Sequence, residues 1–332
     1  MTVHVGVLVP LRPGAPRGTP EEMPIGRVAL RLRAEGIEAV FGREAEAGRV
    51  TGFLARPRRW APVEGVAVVG AYDRYPSKKD PTGHADLQAG LSGLPLVNPA
   101  ALTLLCRDKL ACQRHLEARD VRMPEVTGDP ATFEEALAAW GAAFVKPRYG
   151  AFGSGVRRLL RGDPVPRTAP GAVQGAPEPT LLQRAVPAPD GWAGISVRLL
   201  VQRDEHATWV TNPAVARRNR TDPVVNVARG AEAAPATDVL APDTMRAIER
   251  AGLQVAEALS DHPDGAWLGE LGVDLAIDPA NRPWVIEVNS RPRGRLEALA
   301  EADPGRWMSA HLTASARPLR FLARRSAGGL AT

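Results

Sequence analysis

The sequence predicts a mixed α/β (α+β) protein of about two domains, and three observations carry that expectation. At 332 residues the chain is about twice the usual ~150-residue domain and can bury a sizeable core. It opens as strand then helix: Val3 to Val9 alternates and turns apolar, and Ile25, Val28 and Leu32 follow at helical spacing until Gly36. Its second half reads as one strand after another, interrupted by a single long amphipathic helix.

Taken in order, Ile37 to Phe41 and Val66 to Val69 predict further strands, so the first hundred residues read as a small open α/β unit without a phosphate-binding glycine fingerprint. Pro95 to Pro99 predicts a short strand and turn, with a domain boundary soon after. A helix is expected from Asp108 to about Ala118, and Thr132 with Glu135 forms a capping box that starts another, TFEEALAAW. Ala143 to Lys146 and Val156 to Leu160 then read as two strands around the glycine-rich loop GAFGSG, Gly150 to Gly155. Gly162 to Pro179, dense in Pro, Gly and Ala, predicts a flexible connection before strand character resumes at Thr180 to Gln183. Ser196 to Gln202, Thr208 to Thr211 and Val224 to Val227 are strand candidates. Pro242 to Leu259 predicts the amphipathic helix, with Met245, Ile248, Val255 and Leu259 on one side. A last hairpin, Gly272 to Asp278 with Trp284 to Asn289, precedes a helical C-terminal region.

Composition narrows the function. Hydrophobic residues at 44% and charged residues at 24% are ordinary for a soluble enzyme, while glycine (32) and proline (31) are about 19% of the chain against a usual ~12%. Loops are therefore numerous. Only four of the 42 basic residues are lysines: Lys78, Lys79, Lys109 and Lys146. The net charge of +5 favours acidic small-molecule partners or a weak pull on nucleic acid. No run approaches the ~18 apolar residues of a membrane span and the first residues lack a signal peptide's charged start, so a cytoplasmic protein is expected. Cys106 and Cys112 fit neither a disulfide framework nor a zinc knuckle and read as two semi-buried thiols.

Three constellations could carry chemistry. In the first, the glycines of the GAFGSG loop let backbone N–H groups approach phosphate oxygens, and the flanking strands suit a flap closing over a nucleotide. Lys146, just upstream, would reach a phosphate as a point charge in a chain that otherwise uses arginine, and Lys109 less directly so. In the second, a four-residue loop Pro279 to Arg282 would set Asp274 opposite Glu287, with Asn289 on the same face. Two opposed carboxylates and an amide select a hard cation, Mg²⁺ or Mn²⁺, with nucleotide phosphates completing its shell. Glu270 shares the alternation of Asp274 as a weaker candidate. The third is basic: Arg198, Arg217, Arg218, Arg220 and Arg229, with Asn226 between, could clamp a phosphoryl group or a carboxylate. The eight arginines from Arg291 to Arg325 read as a solvated basic tail.

These motifs in this order resemble the ATP-grasp superfamily over roughly residues 100 to 300: RDKL at 107 to 110, VKPRYGAFGSGV at 145 to 156, LLQRAV at 181 to 186, VRLLVQ at 197 to 202, ARR with NVARG at 216 to 230, GVDLAI at 272 to 277 and EVNSRP at 287 to 292. The arrangement is similar to RimK-type ligases. The front third, with GAYDRYPS at 70 to 77 and PLVNP at 95 to 99, resembles YheC/YheD proteins described as spore coat-associated. The resemblance implies an ATP-grasp fold with a preATP-grasp α/β domain over 1–105, a lid domain over 106–186, a large domain over 187–318 and a basic tail over 319–332. It implies ATP and Mg²⁺ (or Mn²⁺) as cofactors. Lys109 and Lys146 would contact phosphates, beneath a flap containing Gly150, Gly153, Ser154 and Gly155. Gln183, Arg184 and Val186 would lie on the strand edge whose backbone reads adenine, with Asp190 as ribose ligand. Asp274, Glu287 and Asn289 would hold the metal, and Arg198, Arg217 and Asn226 would act near the reacting phosphate. Ser196 departs from the RimK pattern, which has an aspartate there to orient the strand arginine. Arg184 replaces a common glutamate, and Arg291 to Gly294 replaces a Pro-Gly at the substrate end.

The function so implied is an ATP-dependent carboxylate-amine (or thiol) ligase acting through an acyl phosphate on an amino acid or peptide carboxylate. A nucleotide-binding, coat-associated protein without turnover is the alternative. A nucleic-acid binder has only net charge in its favour.

Overall fold

Three β-sheets organise the computed structural model, which describes residues 2–9, 16, 18–75, 80–149, 154–170, 177–225, 230–292 and 296–329. The first sheet holds β1 (Val3–Leu8), β2 (Ile37–Glu46), β3 (Arg49–Arg56), β4 (Arg59–Ala67), β5 (Ala71–Asp73) and β6 (Leu96–Val97), in the order β4-β3-β2-β1-β5-β6. β1 runs parallel to β2, as α1 (Pro24–Ala34) crossing between them requires, and parallel to β5 on its other side. Half of the sheet, however, is an antiparallel meander, β2-β3-β4, which the sequence reading did not contain. Residues 66–67 close that meander instead of forming a strand of their own. The cause is chemical: 43–59 is rich in arginine and glutamate, and of the left-handed residues at its two tight turns, Ala47 (φ 49°), Gly48 (φ 74°) and Arg58 (φ 64°), just one is a glycine. Helix α2 (Pro81–Gly90) follows β5, its N-terminus capped by Asp80, whose side chain accepts from the Gly83 N–H at 2.9 Å.

Helix α3 (Ala100–Arg107) leads into α4 (Lys109–Glu117), and Asp108 caps α4 by accepting from the N–H groups of Leu110 and Ala111 at 3.2 and 3.1 Å. The second sheet contains β7 (Val126–Thr127), β8 (Ala142–Pro147), β9 (Arg157–Leu160), β10 (Thr168–Pro170) and β11 (Pro177–Arg184). It is ordered β10-β11-β8-β9, with β7 on β11. Helix α5 (Phe133–Trp140) buries Phe133 and Leu137 against it. The expected capping box is not formed. Thr132 turns its hydroxyl to Asp129 O at 3.0 Å, and Asp129 instead caps a preceding 3₁₀ turn through Ala131 N–H at 3.0 Å. The expected flexible connection 162–179 is part strand, because β10 pairs with the start of β11.

The third sheet comprises β12 (Gly194–Arg203), β13 (Trp209–Thr211), β14 (Val215–Asn219), β15 (Glu232–Pro235), β16 (Glu270–Ile277) and β17 (Pro283–Asn289), ordered β15-β14-β12-β16-β17 with β13 on β12. The strand expected at Val224 is absent there, and Asn226 and Val227 lie outside the described residues. Val197, Leu199, Val201, Leu271, Val273 and Leu275 bury one face under α6 (Pro242–Ser260), which contributes Ile248, Val255 and Leu259. At about 25 cal/mol per Å², such burial is the main force holding the layer together.

Short α7 (Glu297–Ala302) precedes α8 (Pro304–Gly329), and α8 overturns the solvated tail. Leu312, Ala316, Leu319, Leu322 and Ala323 recur three and four residues apart and enter the same core as Val28 and Leu32 of α1. The arginines occupy the remaining positions, and Arg320 makes a two-pronged pair with Glu35 at 2.7 and 2.6 Å. Within the range 319–332 expected as a tail, the described residues continue α8, and Leu319 to Ala323 are core of the N-terminal layer.

Candidate active site

The face of the third sheet opposite α6 is polar. Across three neighbouring strands, Arg198 on β12 lies opposite Asp274 on β16, which lies opposite Glu287 on β17. The expected pairing of Asp274 with Glu287 is present, but two compensating features produce it. The loop is one residue longer than expected, with Ile277 paired to Pro283, and a β-bulge at Ile286 restores the register. Asp278 organises that loop, accepting from the N–H groups of Ala280 and Arg282 at 2.9 Å each.

Asp274 is the hub of the charges. Arg198 grips it with two hydrogen bonds, Nε to Oδ1 and Nη2 to Oδ2, both 2.5 Å. Arg217 Nη1 stands 3.8 Å from Oδ1, and Asn289 Nδ2 lies 3.4 Å from Oδ2. The orienting carboxylate missing at Ser196 is thus supplied by Asp274 itself. Gly272 makes room for this: a Cβ there would lie 3.3 Å from Arg198 Nη1 and 2.9 Å from Pro292 Cβ. Burial works against the Arg198 charge, but Asp274 outweighs it and raises the guanidinium above its ordinary pKa. Arg217 is shifted the other way, by burial and by the like charge of Arg198.

Lys146, on β8, faces this cluster from the second sheet. It is 7% exposed, and its Nζ donates to Gln183 Oε1 at 2.8 Å and to the carbonyl of Ile286, the bulged residue, at 3.3 Å. Burial lowers its pKa to about 8, against the pull of Glu287. Lys109, at the start of α4, lines a small pocket with Gln113, Ile286 and Glu287. Gln183 enters the site by its side chain. Its backbone is not the expected free edge, because β11 pairs with β8 on one side and with β7 at 182–183 on the other, and Arg184 N–H donates to Glu125 O at 2.8 Å. The β7 pairing ends there, and half-buried Val186 follows on a non-strand segment. The Arg184 side chain is exposed, 2.8 Å from Glu125 Oε1, and Asp190 is exposed on the following turn.

Gly150, Gly153, Asn226 and Arg229 lie outside the described residues. Ser154 is exposed, and Gly155 has φ 71° beside Pro147, where a Cβ would approach Pro147 Cγ to 2.9 Å. Arg218 and Arg220 are not gathered into the cluster: both stack on Trp192, 4.9 and 4.1 Å from its ring centre. Sequence reasoning missed Arg148, whose guanidinium makes two bonds to Asp108 at 2.8 and 2.6 Å and ties the approach of the glycine-rich loop to the cap of α4. It also missed Gln113 and Asn98. The side-chain amide of Asn98 accepts from Gly269 N–H at 2.7 Å and donates to Glu270 O at 2.6 Å, fixing the start of β16. Only the single polar residue within PLVNP hinted at the latter. Arg291, at the unusual substrate end, donates to Asp73 Oδ2 and to Tyr75 O.

The donor set suits a hard divalent cation. Among the described residues no group of three or more His, Cys, Asp or Glu side chains could hold a metal. Two carboxylates with an amide suffice for Mg²⁺, which takes its other ligands from water and phosphate. Asp274, Glu287 and Asn289 could supply such ligands, with Asp274 sharing its oxygens with Arg198.

Comparison with known proteins agrees with this architecture. Residues 178–312 match the family model of YheC/D-like ATP-grasp. No curated protein sequence matches the chain. Among solved structures, a RimK domain protein ATP-grasp from Sphaerobacter thermophilus is 20% identical with a TM-score of 0.54, over 96% of this chain and 99% of that one. VanG D-Ala:D-Ser ligase from Enterococcus faecalis is 11% identical with a TM-score of 0.58, over 97% and 100% of the two chains. ATP-grasp ligase PsnB, solved with a precursor variant, Mg and ADP, is 15% identical with a TM-score of 0.55, over 95% and 98%. The chain therefore has the ATP-grasp fold.

Proposed function

We propose that this protein is an ATP-dependent ligase that joins a carboxylate to an amine. The observation that carries the reading is the meeting of a buried lysine from one sheet with an Arg198–Asp274–Glu287 row from another, the charge pattern a polyphosphate with a divalent cation would complement. Lys146 and Lys109 would bind phosphate oxygens, and the loop containing Gly150, Gly153, Ser154 and Gly155 would cover them. With the Arg184 N–H already donated to Glu125 O, the Arg184 carbonyl and the Val186 backbone would be offered to adenine, with Asp190 near the ribose.

Asp274, Glu287 and Asn289 would hold Mg²⁺, whose positive charge offsets that of the phosphoryl oxygens. In the reaction a carboxylate oxygen of the donor attacks the γ-phosphorus and the bond to the β-phosphate oxygen breaks, releasing ADP. An amine nitrogen then attacks the acyl carbon, loses a proton, and inorganic phosphate departs. Arg198 and Arg217 would steady the anion, with Asn226 alongside. The chain's preference for arginine favours an anionic donor such as an amino acid or a peptide C-terminus.

Stoichiometry tests the reading. ADP release is expected to be slow alone and to rise when the right acid and amine are both supplied. Hydroxylamine is expected to trap the activated acid as a hydroxamate when donor and Mg-ATP are present without acceptor. Tight nucleotide binding with neither response across broad donor pools would replace the ligase with the binding-only protein.

A further inference from the structure

We propose that Gln113 is a positioning residue: through Gln183 it fixes which end of a buried amide faces Lys146, and so holds that ammonium ready for a phosphate. The inference rests on Lys146 facing the nucleotide. A carboxamide has a donor end and an acceptor end, and its orientation is set by its neighbours. Gln113 Nε2 donates to Pro124 O at 2.6 Å and to Glu117 Oε1 at 2.7 Å. A peptide carbonyl only accepts, so the bond to Pro124 O determines this end. Gln113 Oε1 must then face Gln183, whose Nε2 donates to it at 2.9 Å. Gln183 is left with Oε1 toward Lys146 Nζ, at 2.8 Å.

Rotating either amide would set N–H against N–H at a site water cannot repair, because Gln113, Gln183 and Lys146 are 2%, 4% and 7% exposed. The charges that face Lys146 do not do this work. Glu287 on β17 and Asp274 on β16 attract it, Lys109 on α4 repels it, and Cys112 on α4 is the other titratable neighbour. Among the described residues, direction comes from two partners, Gln183 Oε1 and the Ile286 carbonyl. The relay runs from the α4–β7 connection, through α4 and β11, to β8, and it gives the buried glutamine on β11 a role.

The chain has four lysines, so the test can be read residue by residue in the full-length protein labelled with [¹⁵N]lysine. At pH 6 the Lys146 ammonium is expected to give a slowly exchanging ¹⁵N–¹H signal, assigned by its loss in Lys146→Met. Gln113→Leu is expected to abolish that signal and to weaken ADP binding about tenfold by calorimetry, the loss of roughly one hydrogen bond to a charge. Glu117→Gln is expected to leave both unchanged, since Pro124 O still fixes the amide. Should Gln113→Leu not fold, Gln113→Met removes the same donor and acceptor in a more adaptable side chain. A folded Gln113 variant that keeps the wild-type Lys146 signal overturns the relay. Wild-type protein with the signal intact but no ADP binding overturns the nucleotide reading instead.

Discussion

Asp274 and Glu270 are both carboxylates on β16, four residues apart on one face, yet their surroundings have opposite chemistry. Asp274 meets two arginines and a facing carboxylate, with a lysine beyond. Glu270 is 1% exposed and meets the N-terminal layer: Tyr72 OH donates to it at 2.7 Å, Arg74 Nη1 at 3.2 Å and Gln202 Nε2 at 3.1 Å. Gln202 in turn donates to Ala314 O on α8 at 2.8 Å, so this end of the strand is clamped beneath the C-terminal helix. Strand alternation assigns a face. Role depends on what the rest of the chain packs against each end of it.

The largest expected effect separates the two ends. Glu287→Gln should lower turnover about a thousandfold, equivalent to about 4 kcal/mol of barrier, in a protein with normal circular dichroism. Glu270→Gln should keep turnover within about tenfold. Near-normal ADP formation by folded Glu287→Gln would remove that residue from the site.

Next comes stability against pH. Burial raises the Glu270 carboxyl to about 7, outweighing Arg74 and Gln202. Between pH about 4.5 and 7 the folded chain therefore binds more protons than the unfolded one, and stability falls as pH rises through that window. The contribution is about 3 kcal/mol in size. Urea unfolding at pH 5 and 8 should show it in wild type and miss it in Glu270→Gln; equal slopes in both proteins would count against it.

Lys146 has the opposite sign in a higher window. Its pKa is depressed to about 8, so from there to about 10.5 the unfolded chain binds more protons and this group makes stability rise with pH. Ligand binding moves the other way, because the ammonium that meets phosphate is lost. ADP affinity measured by calorimetry should fall about tenfold between pH 7 and 9, and a flat profile would detach Lys146 from the phosphates.

The smallest effect is expected at Arg184. Its pair with Glu125 has both side chains about half exposed, so Arg184→Ala should cost no more than about 0.5 kcal/mol in thermal unfolding and leave nucleotide affinity unchanged. A tenfold loss of affinity would show that the side chain, and not only the backbone, faces the ligand.

Much of the third sheet was legible in the residues. β12, α6 and the closing hairpin alternate or recur at helical spacing because each buries one face, and that periodicity survives in a single sequence. β14 and β15 were not legible, since ARRN and EAAP carry no apolar alternation, nor was β3, which begins in the arginine- and glutamate-rich stretch 43–59. The pairing of Asp274 with Glu287 was foreseen from a loop length one residue short, and the bulge at Ile286 hid the error. α8 was misread because its arginines were counted without their spacing.

The sequence by itself determined the α/β class, the strand that carries Asp274, the strand that carries Glu287 and the lysine between strand and glycine-rich loop, all of them local patterns of residue type and period. Only the tertiary structure decided that Arg198 pairs with Asp274, that Gln113 and Gln183 orient Lys146, and that Leu319 to Ala323 belong to the N-terminal core. Those partners are 76, 70 and about 290 residues apart along the chain. The hydrogen bonds and contacts that join them depend on register, bulges and packing, which no local pattern encodes.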